Sequence, residues 1–256
     1  MSAAEIRNGI LHVAVSSAAN GTSLDRDAKI EGAKILNSSA AADGSIRAIL
    51  LYGAGANFCA GGNVRAFAAA DDRPEYILGL ATDFHAFIKA LSRVDIPVVA
   101  AVHGWAAGAG MSIVTNADIA IGGTSTQFRP AYAGIGLSPD GGLTWSLPRV
   151  VGAARARDII LANRILNAAE AERIGLLSRV VADDAVYDTA LATARELADG
   201  PVAAYAATRR LLNASESATL ADQLDAEAQS ISSLSGSPTG TEGVDAFVAK
   251  RAPTWP

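Results

Sequence analysis

Two glycine-rich stretches, Phe58-Cys59-Ala60-Gly61-Gly62-Asn63 and Gly104-Trp105-Ala106-Ala107-Gly108-Ala109-Gly110, decide the reading of this chain. Each follows an apolar run with the composition of a buried strand. Ala48-Ile49-Leu50-Leu51-Tyr52-Gly53 precedes the first, and Pro97-Val98-Val99-Ala100-Ala101-Val102 precedes the second. The second stretch continues into Met111-Ser112-Ile113-Val114, which is compatible with a helix. Glycine and alanine leave the backbone bare enough for a ligand carbonyl to approach, and a helix start favours developing negative charge. Two such turns can aim two backbone N–H groups at one oxygen, which is the arrangement of an oxyanion hole. Glycine also punctuates ordinary loops, so one turn alone would carry no such reading.

Around these turns, strand-like and helix-like segments alternate. Ile10 to Val15 reads as a strand, and Asp25 to Ala42 as a helix with apolar positions Ala28, Ile30, Ala33, Ile35 and Leu36. Asp71 to Val94 is a second helix, carrying Tyr76, Leu80, Phe84, Phe87, Ile88 and Leu91 at helical spacing until Asp95-Ile96-Pro97 breaks it. The class is therefore α/β. From Ala153 onward the pattern reads as helical almost throughout, with Gly200-Pro201 and Ser235-Gly236-Ser237-Pro238 as the clearest interruptions. No internal repeat is apparent.

At 256 residues, half of them hydrophobic, the chain can bury a sizeable core. A net charge of -5 with no Lys/Arg-rich run argues against a nucleic-acid partner. Met1 to Ile10 has no apolar leader segment, and the weakly polar stretch from Ile96 to Gly123 is broken by His103, Asn116 and Asp118. Neither a secretory signal nor a membrane span is expected, and the cytoplasm is the default location. Cys59 is the only cysteine, which excludes an internal disulfide and fits a small filler in the first turn. The three histidines, His12, His85 and His103, show no metal-ligand spacing, so no metal is implied.

The two turns resemble the crotonase superfamily of enoyl-CoA hydratases and isomerases, whose signatures are F-C-A-G-G-D and G-x-A-x-G-x-G. The likeness continues through Ile135-Gly136-Leu137-Ser138-Pro139-Asp140-Gly141-Gly142, Leu147-Pro148-Arg149 and the terminal Ala246-Phe247-Val248-Ala249-Lys250-Arg251-Ala252-Pro253. It runs from about Ile10 to Pro253. The resemblance implies a spiral of ββα units with a C-terminal helical trimerisation region, divided as a core over 1–195 and a helical region over 196–256. It implies a homo-trimer or hexamer acting on an acyl-CoA thioester, with coenzyme A arriving as part of the substrate and no permanently bound cofactor.

In the family the oxyanion donors match Gly62 and Ala109. The two glutamates of the hydratases fall at Ser112 and Tyr132, so both are missing, and water activation loses its usual carboxylate. The remaining carboxylate is Asp140, in a Pro-Asp-Gly turn that by itself reads as a plain turn. The aspartate-type isomerases of phenylacetate breakdown place their base in this turn, ahead of T-W-x-L-P-R, and here Thr144-Trp145-Ser146-Leu147-Pro148-Arg149 follows. The chain is also partly similar to the 4-chlorobenzoyl-CoA dehalogenases, whose nucleophilic aspartate, aromatic residue and histidine match Asp140, Tyr132 and His85. For coenzyme A, the resemblance points to Ala60, Phe247 and Lys250, with Arg251 beside it. The family's cationic N-R-P loop is replaced by the uncharged Ser16 to Ser23.

These residues imply an acyl-CoA enzyme that stabilises a thioester enolate at Gly62 and Ala109 while Asp140 moves the proton, with double-bond isomerisation favoured. Hydration, dehalogenase-like hydrolysis with Asp140 as nucleophile, and a non-catalytic homologue are the alternatives. A dinucleotide-binding turn is excluded, because Phe58 and Ile113 stand where G-x-G-x-x-G needs its third glycine.

Overall fold

In the computed structural model, which describes residues 3–256, the apolar runs flanking the glycine turns become neighbouring parallel strands. Met1 and Ser2, the first residues of the stretch read above for a leader, and the side chain of Asn20 lie outside the described residues. The strands are β1 (Ala4–Arg7), β2 (Ile10–Ser17), β3 (Ala48–Ala54), β4 (Val98–Val102), β5 (Trp105–Ala107), β6 (Ile119–Gly123), β7 (Gln127–Arg129), β8 (Leu166–Asn167) and β9 (Arg179–Val181). The helices are α1 (Arg26–Leu36), α2 (Val64–Ala69), α3 (Arg73–Arg93), α4 (Ala109–Val114), α5 (Leu143–Val151), α6 (Ala153–Leu161), α7 (Ala168–Arg173), α8 (Val186–Ala198), α9 (Val202–Ser215), α10 (Leu220–Ser235) and α11 (Pro238–Val248). One sheet runs β1-β2-β3-β4-β6-β9, parallel except for β1, and a second runs β5-β7-β8. Passing along the chain, β4 enters the large sheet, β5 the small one, and α4 follows. Next β6 and β7 do the same before α5 and α6, which gives the expected spiral of ββα units.

The parallel strands are apolar on both faces, as a sheet covered on both sides requires. Leu11, Val13, Ile49, Leu51, Val98, Ala100 and Val102 point into the core beneath α1 and α3, while Ile10, Leu50, Val99, Ala101 and Ile121 point to the opposite side. That second face is covered by α8 through Val186, Ala190, Ala194 and Ala198, spaced four apart along one helix stripe. Because α8 continues through position 195 to Ala198, the helices after it begin beyond the Asp199-Gly200-Pro201 break.

Three local expectations differ. Helix α1 stops at Leu36, because the side chains of Asn37 and Ser38 bond back to the carbonyls of Ala33 (2.8 Å) and Ile35 (2.6 Å) and end the helix. Its buried stripe is Ala28, Lys29, Gly32, Ala33 and Leu36, so Lys29 is inside and Ile30 outside. The region after Ala153 contains β8 and β9, two strands of two and three residues that are too short to interrupt a helical pattern visibly.

The C-terminal helices are tied to the core by Arg209 on α9. Its buried guanidinium donates from Nε to both oxygens of Asp118 (3.1 and 2.9 Å) and from the other nitrogens to the carbonyls of Leu91 (3.0 Å) and Val94 at the end of α3. Asp118 also accepts from the amide of Val98 at 2.7 Å, which fixes the start of β4. Arg209 is buried while Asp118 is exposed, so removing the guanidinium leaves the Leu91 and Val94 carbonyls without their donor. Arg209→Met is therefore expected to lower the unfolding free energy by about 2 kcal/mol in chemical denaturation. Arg210→Met, whose own side chain is more than half exposed in its pair with Asp95, is expected to cost under about 1 kcal/mol.

Candidate active site

Backbone contacts bring the two glycine turns together. Cys59 N–H donates to the Trp105 carbonyl (3.0 Å), Ala107 N–H donates to the Cys59 carbonyl (2.8 Å), and Cys59 pairs with Ala106 as a bridge to the small sheet. The approach is too close for side chains. A Cβ on Gly110 would lie 2.3 Å from the Cys59 carbonyl oxygen and one on Gly61 3.3 Å from the Ala107 carbonyl oxygen, and Gly61 and Gly108 both take a positive φ. The uncharged loop from Ser16 to Ser23 braces the first turn: Thr22 O accepts from Ala60 N–H (2.9 Å), and Leu24 N–H donates to Gly61 O (2.7 Å). Cys59 is fully buried, and burial pushes its thiol up to about 12, in keeping with a filler rather than a nucleophile.

Among the described residues no acceptor takes the N–H of Gly62 or of Ala109. Four other amides of the turns, those of Cys59, Ala60, Ala107 and Gly108, each donate within the fold. Ala109 is buried at the start of α4, and Gly62 is exposed beside the ring of Phe67, which stands 2.5 Å from where a Cβ on Gly62 would be. Phe67 in turn meets Tyr76 edge-on at 6.4 Å. A cavity of about 470 Å³ opens between α2 and α3 on this side, lined by Ala66, Ala69, Ala70 and Tyr76 with Asp71, Asp72 and Glu75.

The Asp140 turn meets the second glycine turn through side chains. Tyr132 donates its hydroxyl to Asp140 Oδ1 at 2.6 Å. Tyr132 spends its one proton there, and in its 3.2 Å contact with Ser112 it competes for the single Ser112 hydroxyl proton with the Asp140 carbonyl, which stands nearer at 2.9 Å. Ser112 Oγ also faces the carbonyls of Asp140 (2.9 Å) and Gly108 (3.3 Å), linking α4 to the turn. Burial, followed by the charge of Asp140, holds the Tyr132 phenol well above its ordinary range, so it stays protonated as a donor. Asn116 donates to the carbonyls of Ser112 (2.7 Å) and Gly141 (3.3 Å) from the other side. Oδ1 is held by the phenol, while Oδ2 takes no hydrogen bond among the described residues.

His85, on α3, accepts from the amide of Gly141 through Nε2 at 3.1 Å. The lone pair a base would use is engaged in holding the turn. His103 donates to Gly55 O at 2.8 Å, and His12 is buried in β2 with its ring pKa lowered chiefly by burial, so both belong to the framework. Phe247 and Lys250 lie at the end of α11, which packs on α9 and α10, and Phe247 is 85% exposed. Arg251 is gripped by both oxygens of Glu242 (2.6 and 2.8 Å), leaving Lys250 as the terminal cation without an ion pair among the described residues. Ala60 is exposed, and its N–H is taken by Thr22. Among the described residues no group of three or more His, Cys, Asp or Glu is placed to hold a metal, and no helix is long and apolar enough to cross a membrane.

Sequence reasoning missed Lys29, Asn116 and Phe67. Lys29 had one signal, its position in register with Ala33 and Leu36 on α1, which the apolar neighbour Ile30 obscured.

A ββα spiral with two free amides at paired glycine turns defines a class, and comparison with known proteins agrees. Residues 5–256 match the family model described as enoyl-CoA hydratase/isomerase. The chain is 38% identical over 213 residues to 1,2-epoxyphenylacetyl-CoA isomerase of Escherichia coli, covering 82% of this chain and 81% of that one. It is 40% identical over 212 residues to a protein named probable enoyl-CoA hydratase from Rhodobacter capsulatus, covering 83% and 82%. The crystal structure of an enoyl-CoA hydratase from Polaromonas superposes with a TM-score of 0.92 at 30% identity, covering 99% of this chain and 98% of the other. The chain belongs to the enoyl-CoA hydratase/isomerase family, within the crotonase superfamily. It is an enzyme of that family, whose members act on coenzyme A thioesters.

The approach of the turns generates a prediction. Gly110→Ala drives a methyl group into the Cys59 carbonyl and is expected to cost about 2 kcal/mol or more of stability. Gly79→Ala, on the exposed side of α3 with nothing within 4 Å, is expected to raise stability by about 0.5–1 kcal/mol. Thermal unfolding of the two variants checks the contrast.

Proposed function

We propose that the enzyme isomerises a double bond in an acyl-CoA thioester. The amides of Gly62 and Ala109 polarise the thioester carbonyl, and Asp140 Oδ2 takes a proton from the α or γ carbon. Electrons from that C–H bond pass into the enolate, whose oxyanion the two amides stabilise by about 2.7–4 kcal/mol each. Asp140, now a carboxylic acid, returns the proton to the other carbon, and the double bond has moved.

The observation that carries this reading is the hydrogen bond from Tyr132 to Asp140 at 2.6 Å, formed where hydratases are expected to have a glutamate. Ser112 and Tyr132 supply no second carboxylate to activate water, whereas they orient the one that is present. The Escherichia coli relative carries the name of an isomerase and the Rhodobacter capsulatus relative that of a hydratase. The absence of both glutamates favours the first. On this reading His85 positions the Asp140 turn rather than exchanging protons, and Tyr132 is an orienting donor.

Asp140→Asn is expected to lower kcat about 10²–10⁴-fold with acyl-CoA affinity nearly unchanged. Tyr132→Phe, which removes one hydrogen bond to a charged group, is expected to cost about tenfold in kcat. Steady-state kinetics with a binding isotherm separates the two. The wild type should also exchange the substrate's α or γ protons in deuterated water, and Asp140→Asn should not. Full turnover by Asp140→Asn, or water addition faster than isomerisation, would sink the reading.

Assembly as a trimer or hexamer accompanies this proposal. Leu212, Leu220, Leu224, Ile231, Val244, Phe247 and Val248 are large apolar side chains left exposed along the C-terminal helices, a surface suited to subunit contact. With the Ser16 to Ser23 loop uncharged and Arg251 bound to Glu242, Lys250 is the cation proposed to meet the nucleotide phosphate of coenzyme A, with Phe247 and Ala60 beside the ligand. Lys250→Ala is expected to weaken coenzyme A thioesters about tenfold and to leave pantetheine thioesters, which lack that phosphate, unaffected. Salt titration of both ligands checks it, because an exposed phosphate contact is screened.

A further inference from the structure

Helix α11 ends on a left-handed residue that is not glycine. Lys250 takes a φ of +53°, and the two hydrogen bonds of a Schellman turn close around it, from Lys250 N–H to the Phe247 carbonyl (3.2 Å) and from Arg251 N–H to the Ala246 carbonyl (3.0 Å). Glycine is the usual occupant of that position, because a Cβ there crowds the backbone, so a lysine is strained and persists only where its surroundings over-determine it. Here the surroundings form a clamp. Arg251 donates from its two terminal nitrogens to the two oxygens of Glu242 (2.6 and 2.8 Å), and the Thr254 amide is a second donor to Oε1 at 2.6 Å. The Trp255 ring then rests on Gly243, where a Cβ would lie 3.3 Å away. The tail is thus folded back onto the middle of α11, and Lys250 stands at the bend, exposed and without an ion pair among the described residues.

We propose that Glu242 is a positioning residue for Lys250: by holding Arg251 and Thr254 it fixes the left-handed bend that presents the Lys250 ammonium to the nucleotide phosphate of coenzyme A. The inference rests on the reading of Lys250 as the cation that meets this phosphate. Lysine is a point charge on a flexible stem, so what it contributes depends on how its backbone is aimed. A bidentate Arg–carboxylate pair fixes direction as well as distance. The Arg251 guanidinium, with the Thr254 amide, holds the Glu242 carboxyl down at about 2, so the clamp stays ionised at neutral pH. The same pair occupies Arg251, which leaves Lys250 as the cation this turn offers to a ligand.

The test breaks the clamp from each end, with Glu242→Ala and Arg251→Met, which change the net charge in opposite senses. Calorimetry measures the binding of two unreactive thioethers, S-butyl-coenzyme A and S-butyl-pantetheine, the second of which lacks the nucleotide. Both variants are expected to weaken the coenzyme A ligand about fivefold and to leave the pantetheine ligand within about twofold of wild type. In a Lys250→Ala background neither variant is expected to add a further loss, because residues that act through one another are not additive. Unchanged or tighter coenzyme A binding in Glu242→Ala overturns the proposal, since a freed Arg251 would then read the phosphate by its own charge. Equal losses for the two ligands also overturn it, as a purely structural clamp would give them, and so do additive losses in the Lys250→Ala background. Should Glu242→Ala fail to fold, Glu242→Gln, which keeps an acceptor for the Thr254 amide but loses the charged pair, is measured with the same two ligands. A wild-type preference for the coenzyme A ligand in that variant overturns the proposal. The reading of Lys250 fails separately, if Lys250→Ala alone binds the coenzyme A ligand as tightly as the wild type.

Discussion

The close approach of Cys59 to Gly110 is the constraint on which the site depends. A carbonyl oxygen sits where any side chain at position 110 would have to be, and two backbone hydrogen bonds hold the segments at that separation. The contact fixes the end of the turn after β3 against the start of α4. Among the described residues, the amides of Cys59, Ala60, Ala107 and Gly108 are committed to partners inside the fold, and the N–H groups of Gly62 and Ala109 remain unclaimed. Strands β3 and β4 lie side by side in the parallel sheet, so both turns emerge at the same edge. The relative placement of these two amides is therefore set by backbone contacts between the strands and turns.

The surroundings of Asp140, the proposed acid-base group, are built by different means. Asp140 sits in a loop, and its placement comes from a ring of polar contacts: Tyr132 to its carboxylate, Ser112 to its carbonyl, and His85 and Asn116 to the next residue. These partners arise from four segments, namely the turn after β7, the helix α4 and its end, and α3. A loop carboxylate held from several directions can be placed nearly as well as one on a helix, provided each partner is itself fixed. Ser112 lies on α4 and Asn116 just after it, so Asp140, the proposed proton carrier, is indexed to the same helix that begins at Ala109.

Much of this was legible in the sequence because the informative residues act through the backbone. Glycines at Gly61, Gly108 and Gly110 announce where chains must touch, and the apolar runs before them announce buried parallel strands. The phase of α1 was harder. Ile30 and Lys29 are adjacent, and hydrophobicity alone puts the isoleucine inside, while packing of Gly32 against Phe87 rotates the helix so that Lys29 is covered. Strands β8 and β9 are too short to leave a period. The pairing of Arg251 with Glu242 depends on the chain turning back after α11, where Lys250 takes a positive φ, and no spacing rule would have fixed it.

The division between main-chain and side-chain chemistry has a consequence for how such a molecule can change. An amide at position 62 or 109 survives every substitution except proline, so random mutation erodes the electrostatic half of the site slowly. The side-chain half enjoys no such protection: one codon change at position 112 or 132 is enough to add or delete a polar group beside Asp140. A lineage can therefore exchange one reaction for another while its carbonyl-binding scaffold stays in service. The scaffold behaves as inherited infrastructure, and Ser112, Tyr132 and Asp140 are the replaceable fittings.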